Sequence, residues 1–191
     1  MITLKPYIEF TQLSEGNKDW RGCLMLSLPS DFSTMITNFS STNIKDEDLA
    51  DSGREDYVHV TILYGFDQNV KIEEVNDFIQ GCNLNDIKIV LGDIQRFTFT
   101  ENRPESDVIY IKVIESAVLQ SLNKNLRRKF NANNTYGSYS PHVTLAYVKP
   151  GRVSLPNVFV GMPVVCDAMT YSTGQSDKRS VKSIPFSTLK R

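Results

Sequence analysis

His59-Val60-Thr61-Ile62-Leu63-Tyr64 and His142-Val143-Thr144-Leu145-Ala146-Tyr147 are one phrase written twice, and they hold the only two histidines of this 191-residue chain. With ordinary residue frequencies, a given histidine opens that Val-Thr-aliphatic-x-Tyr pattern less than roughly once in ten thousand trials. Each copy is rich in β-branched and aromatic residues and runs into turn formers, Gly65 after the first and Lys149-Pro150-Gly151 after the second. That composition predicts a strand. Side chains alternate along a strand, so His59, Thr61 and Leu63 are expected on one face, opposite Val60, Ile62 and Tyr64. In the second copy His142, Thr144 and Ala146 oppose Val143, Leu145 and Tyr147. The His/Thr faces suit the floor of a cleft and the other faces a core. On this parity Tyr64 and Tyr147 point away from the cleft. A lone strand histidine beside a threonine is ordinarily a satisfied polar pair on a sheet surface. Duplication of the whole pattern argues instead for a functional pair.

The length suits one domain, or one domain of two similar lobes, with ample chain to bury a core. With 40% hydrophobic and 23% charged residues and a net charge of −1, the chain does not look like a coat for long nucleic acids, which need many phosphate contacts. A small phosphorylated ligand held by a few local groups remains open. Cys23, Cys82 and Cys166 are widely spaced in apolar stretches and read as buried free thiols in a reducing compartment. Neither a Cys-x-x-Cys nor a His-x-x-x-His spacing occurs, and two histidines make a poor metal site, so no metal and no cofactor are expected. The N-terminus has no signal-like segment and no apolar run nears 18 residues. A cytoplasmic protein that does not enter a membrane is expected, and the sequence leaves its oligomeric state open.

Around the two phrases, residues 1–19 read as an arm or an edge strand. Gly22 to Leu28 is a buried strand closed by Pro29. Ser30-Asp31 offers an N-cap to a helix bearing Phe32, Met35, Ile36 and Phe39. Residues 40–56 read as an acidic, solvated connection. Ile72, Val75, Phe78 and Ile79 mark a helix ended by Gly81. Strands are expected over 87–100 and 108–114. A helix follows on Val118, Leu119, Leu122, Leu126 and Phe130, with basic residues at its end. Beyond the second phrase, 158–160 and 163–166 read as a further strand, 168–172 and 183–186 as edge strands, and 174–179 as a turn. Each histidine strand thus follows a strand–helix unit. The order predicts an α+β fold over residues 1–191: a bilobal, pseudo-twofold duplication of strand–helix–strand units, whose two antiparallel sheets face a central cleft.

Two imidazoles can divide general-base and general-acid work near neutrality. Two threonine hydroxyls, one beside each histidine, can donate hydrogen bonds to the non-bridging oxygens of a phosphodiester lying between them. One His would deprotonate water or a ribose 2′-hydroxyl, and the other would protonate the leaving oxygen. No metal is required for that chemistry.

Written as His-x-Thr-aliphatic twice, 142 − 59 = 83 residues apart, the pattern resembles the two-histidine phosphoesterase superfamily. The resemblance implies a bilobal, metal-independent enzyme in which His59 and His142 are catalytic and Thr61 and Thr144 bind phosphate. Tyr139-Ser140-Pro141-His142-Val143-Thr144-Leu145-Ala146-Tyr147 and Pro163-Val164-Val165-Cys166-Asp167 look like the phage anti-CBASS branch of that superfamily. That likeness implies cleavage of 3′,5′-linked cyclic di- or trinucleotide messengers in a host cytoplasm, suppressing the CBASS antiviral defence. A 2′,3′-cyclic or 2′,5′-oligonucleotide phosphodiesterase of RNA metabolism, and a non-catalytic cyclic-nucleotide sponge, are the alternatives. Any of these must hold bases, and stacking on an aromatic ring contributes about 1–3 kcal/mol per base. Trp20, Tyr57, Tyr136 and Tyr139 lie beside predicted strand entries and are candidates, although core packing explains each as well. Lys149 and Arg152 are candidates to attract phosphate, or members of a solvated turn.

Overall fold

The computed structural model describes residues 22–67, 69–98, 106–115, 117–132, 138–172 and 181–186. The element order is β1 (Gly22–Ser27), α1 (Ser30–Asn43), β2 (Leu49–Arg54), β3 (His59–Phe66), α2 (Ile72–Gly81), β4 (Ile87–Thr98), β5 (Asp107–Glu115), α3 (Ala117–Phe130), β6 (His142–Val148), β7 (Pro163–Cys166), β8 (Ala168–Ser172) and β9 (Val181–Pro185). The strands run β7-β4-β5-β6-β3-β1-β8-β9, with β2 also on β6, and every pairing is antiparallel. Two four-stranded halves meet where the histidine strands touch, and β3 and β6 share one registered pair, Val60 opposite Val143. The fold is α+β as expected, but the two expected antiparallel sheets are joined edge to edge into one nine-stranded sheet, and the two strands that carry the repeated phrase form its seam.

Several expectations give way to tertiary context. Helix α1 begins at Ser30 with Pro29 as its N-cap residue and no side-chain cap, because a proline ring carries no acceptor for the first N–H groups. The expected acidic connection instead finishes α1 and supplies β2, whose Arg54 pairs with Asp46 at 2.5 Å and also reaches the Ile44 carbonyl. Val158 to Gly161 is a turn rather than a strand. Phe159 turns inward to meet Phe39 edge-on at 4.9 Å, leaving Val158 and Val160 exposed, and Gly161 supplies the positive φ of 78° that the turn requires. Among the described residues strand β8 is interior, between β1 and β9, while β9 is at the edge. The arm of residues 1–19 and the turn over 174–179 lie outside the described residues. Cys23 and Cys166 are buried, and Cys82 is half-buried.

The faces of the histidine strands also depart from simple alternation. Met25 on β1 faces Thr61 and Leu24 faces Leu63, so Ile62 is one residue too many. On β5, Tyr110 faces Thr144 and Ile109 faces Ala146, so Leu145 is one too many. Each phrase thus carries a β-bulge at its fourth residue, and a bulge reverses the parity beyond it. Leu63 and Ala146, expected in the cleft, lie in the core together with Ile62 and Leu145. The carbonyl of each bulged residue is satisfied from a helix. Asn123 Nδ2 of α3 donates to the Ile62 carbonyl at 2.7 Å. Ser40 Oγ of α1 donates to the Leu145 carbonyl at 3.3 Å, alongside the Glu55 N–H at 3.0 Å. Asn123 and Ser40 are both buried, as polar groups with partners can be. The helices are exchanged: α1 of the first half backs β6, and α3 of the second half backs β3.

Candidate active site

The seam brings the four predicted residues together. Carrying the Val60–Val143 register one residue each way sets His59 opposite Thr144 and Thr61 opposite His142, all on one face. Each histidine therefore sits across from the other half's threonine. His59 and Thr144 are each 4% exposed, while His142 and Thr61 are half-buried.

Both imidazoles are oriented the same way. His59 Nδ1–H donates to the Tyr57 carbonyl, and His142 Nδ1–H donates to the Ser140 carbonyl at 2.8 Å. Each bond reaches back two residues and fixes the tautomer, leaving Nε2 for chemistry. Thr61 Oγ1 lies 3.4 Å from His59 Nε2. Burial pushes the His59 pKa down to about 4, opposed by its bond to the Tyr57 carbonyl and assisted by the charge of His142. His142 is also lowered by burial, against its bond to Ser140. A proton on one imidazole is thus felt at the other, as expected for two groups sharing one site.

Each histidine has an aromatic neighbour, and the two settings differ. The Tyr57 ring stacks on His59 at 5.5 Å and 26°. Its hydroxyl joins a triangle with Ser27 Oγ at 3.0 Å and Thr170 Oγ1 at 2.7 Å, and those two are 2.8 Å apart. On the other side Phe97 and Tyr110 stack at 3.9 Å and 16°. Both rings stand edge-on to His142 at 5.1 Å. Tyr110 donates its hydroxyl hydrogen to Gln95 Oε1 at 3.0 Å.

Ser27, Gln95, Phe97, Tyr110 and Thr170 escaped the sequence reading. Gln95 and Phe97, like Val108 and Tyr110, keep a period of two, but which face they occupy depends on their pairing to β6. Tyr57 and Tyr139, both anticipated, are present with other engagements. Tyr139 donates its hydroxyl to the Thr61 carbonyl at 2.9 Å and accepts at its own carbonyl from Gln120 at 3.0 Å. Burial, with Cys23 nearby, raises the pKa of that hydroxyl. Lys149 and Arg152 stand beyond the far end of β6, roughly 20 Å along the strand from His142 at about 3.3 Å per residue. Lys149 Nζ donates there to the Glu47 carbonyl at 2.7 Å. Trp20 and Tyr136 lie outside the described residues. Among the described residues no cluster of three or more His, Cys, Asp or Glu is placed to hold a metal ion, and no helix is long and apolar enough to cross a membrane.

Similar folds are known. A crystal structure described as a phosphoesterase superposes with a TM-score of 0.64 at 16% identity, covering 88% of this chain and 96% of that one. LigT of E. coli complexed with 3′-AMP superposes at 0.63 with 14% identity, over 88% and 96%. TT0787 of Thermus thermophilus superposes at 0.60 with 15% identity, over 87% and 97%. At such identities the likeness concerns the fold. No curated protein sequence matches the chain. The sequence profile of the 2′-5′ RNA ligase superfamily, however, matches residues 40–158, a span that contains both histidine strands. With the paired His-x-Thr strands facing each other across the seam, this chain belongs to the 2′-5′ RNA ligase superfamily and is a phosphodiesterase of the two-histidine type.

Proposed function

We propose that the enzyme cleaves 3′,5′-linked cyclic oligonucleotide messengers without a metal, and thereby suppresses CBASS antiviral defence. The observation that carries this reading is the reciprocal placement of His59 opposite Thr144 and of Thr61 opposite His142. That cradle suits a phosphodiester with substituents on both sides, and the aromatic walls beside each histidine suit bases. His59, the more deeply buried and the more easily kept neutral, takes the proton of the ribose 2′-hydroxyl at Nε2. The 2′-oxygen attacks phosphorus, the P–O5′ bond breaks, and His142 Nε2 gives its proton to the departing 5′-oxygen. The threonine hydroxyls donate to the non-bridging oxygens. Products are a 2′,3′-cyclic phosphate and a 5′-hydroxyl. Holding the adjacent hydroxyl in line makes use of proximity rather than captured solvent.

The test is incubation in EDTA with cyclic di- and trinucleotides, 2′,3′-cyclic nucleotides and 2′,5′-oligoadenylate, with chromatographic separation of products. Cleavage of the cyclic oligonucleotides to 2′,3′-cyclic ends is the expected result. Linear products ending only in 5′-phosphate would overturn the mechanism. A second reading, processing of RNA ends, is favoured by the 3′-AMP held in the LigT crystal, and cleavage confined to the other two substrate types would establish it. Tight binding without cleavage would leave a sponge.

The pH profile follows from the two histidines. The kcat/KM ratio reports the free enzyme, in which the base must be neutral and the acid protonated. The ratio is expected to rise as pH climbs through about 4, where His59 deprotonates. It falls once His142 loses its proton, below the ordinary 6.5, so the optimum lies on the acid side of 6.5. Glu55, whose carboxyl burial pushes up to about 7, titrates close by, so the profile is repeated with Glu55→Gln. An optimum above pH 7 in both proteins would refute the assignment.

A further inference from the structure

Both histidine phrases end in a tyrosine, Tyr64 and Tyr147, five residues after the histidine. Unbroken alternation would turn both into the core. The bulges at Ile62 and Leu145 do the opposite. Beyond the first bulge Cys23 faces Tyr64, and β1 alternates without a break from Cys23 through Met25 to Ser27, which face Tyr64, Thr61 and His59 in turn. Beyond the second, Val108 faces Tyr147, on the face that Tyr110 and Lys112 share with Thr144 and His142. The packing agrees: Ile62, Leu63, Leu145 and Ala146 belong to the core cluster, whereas neither Tyr64 nor Tyr147 does. Two bulges at corresponding positions, each held by a buried helix side chain, deliver one tyrosine apiece to the reactive face.

We propose that Tyr64 and Tyr147 are the third symmetric pair of the site, and that they grip the nucleosides on either side of the scissile phosphate. This rests on the phosphodiesterase reading and narrows it to substrates bearing a nucleoside on both sides. Strands β3 and β6 run antiparallel through the Val60–Val143 pair, so the tyrosines lie toward opposite ends of it. Each is about 10 Å from that pair, at about 3.3 Å per residue with one residue absorbed by the bulge. A phosphate on the pseudo-twofold axis then has an aromatic ring on each side. Tyr147, at 8% exposed, is enclosed much as His59 and Thr144 are at 4% each. A 2′,3′-cyclic mononucleotide offers one nucleoside and engages one tyrosine.

The experiment compares Tyr64→Ala, Tyr147→Ala and the two Phe variants on a cyclic dinucleotide and on 2′,3′-cyclic AMP. On the cyclic dinucleotide each Ala variant is expected to lose about 10-fold in kcat/KM, chiefly through KM, and each Phe variant to recover most of it. On the mononucleotide the two Ala variants part, one losing as much and the other far less. Unaltered KM on the dinucleotide, or equal losses on both substrates from both variants, would overturn the proposal. Equilibrium binding of the uncleaved dinucleotide to the His59→Ala protein, with and without each tyrosine, decides the matter even where turnover is absent. Tyrosine-dependent binding without wild-type turnover sinks the reaction and leaves the grip, whereas binding indifferent to both tyrosines sinks the grip alone.

Discussion

Replacing either His59 or His142 with alanine is expected to lower kcat/KM on the proposed cyclic dinucleotide substrate about 10²–10⁴-fold, the usual contribution of one general acid or base. Both imidazoles keep Nε2 clear of these backbone bonds, because both spend Nδ1–H on a carbonyl two residues back. Removing one ring leaves the proposed phosphate cradle in place but strands the proton that the ring would take or give. The double variant falls little below the worse single one, because neither half of a proton relay works alone. Steady-state rates for the three proteins check this, with circular dichroism confirming that they are folded. Near-wild-type turnover by His142→Ala would remove that residue from the chemistry. A His59→Ala protein that loses turnover but still binds the dinucleotide separates enzyme from sponge.

Asp107→Ala is expected to destabilise the fold by about 3 kcal/mol, the low end of what loss of one partner from a buried ion pair costs. The Asp107 side chain is 2% exposed and Arg96 29% exposed, and their ion pair measures 2.9 Å. Solvent reaching the arginine screens part of the pair, which is why the low end applies. Asp107 also accepts the Gly151 N–H at 2.9 Å, and Arg96 donates to the Val153 carbonyl. One carboxylate thus fastens the turn after β6 to β4 and β5. For a domain of this length 3 kcal/mol corresponds to a fall in Tm of about 6–12 °C. Asp107→Asn, which keeps an acceptor for Gly151, should lose clearly less. Equal losses from both would place the stabilisation in the charge alone, and no loss from either would show the lock to be idle. Thermal melts of the two variants make the measurement.

Much of this protein follows from its sequence, and the reason is local. The repeated phrases, β-branched and closed by turn formers, had to be strands, and the His-x-Thr spacing placed the histidine and the threonine on one face of each. The helices over 72–81 and 117–130 followed from apolar period and a terminal glycine or basic end. Leu49–Arg54 did not, because LADSGR has neither apolar period nor β propensity and becomes a strand only by lying on β6.

What the tertiary structure alone decided is register. Sequence determined that there are two His/Thr strands, and pairing determined that each histidine faces the other's threonine. Alternation sent Tyr64 and Tyr147 inward, and two bulges sent them back. Phe97, Tyr110 and Ser27 joined the site through partners far along the chain. A bulge depends on which neighbour takes the spare carbonyl, here Asn123 for Ile62 and Ser40 for Leu145. Those hydrogen bonds join residues 61 and 105 positions apart. Periodicity is written along the chain, whereas the satisfaction of one displaced carbonyl is settled only when distant elements pack.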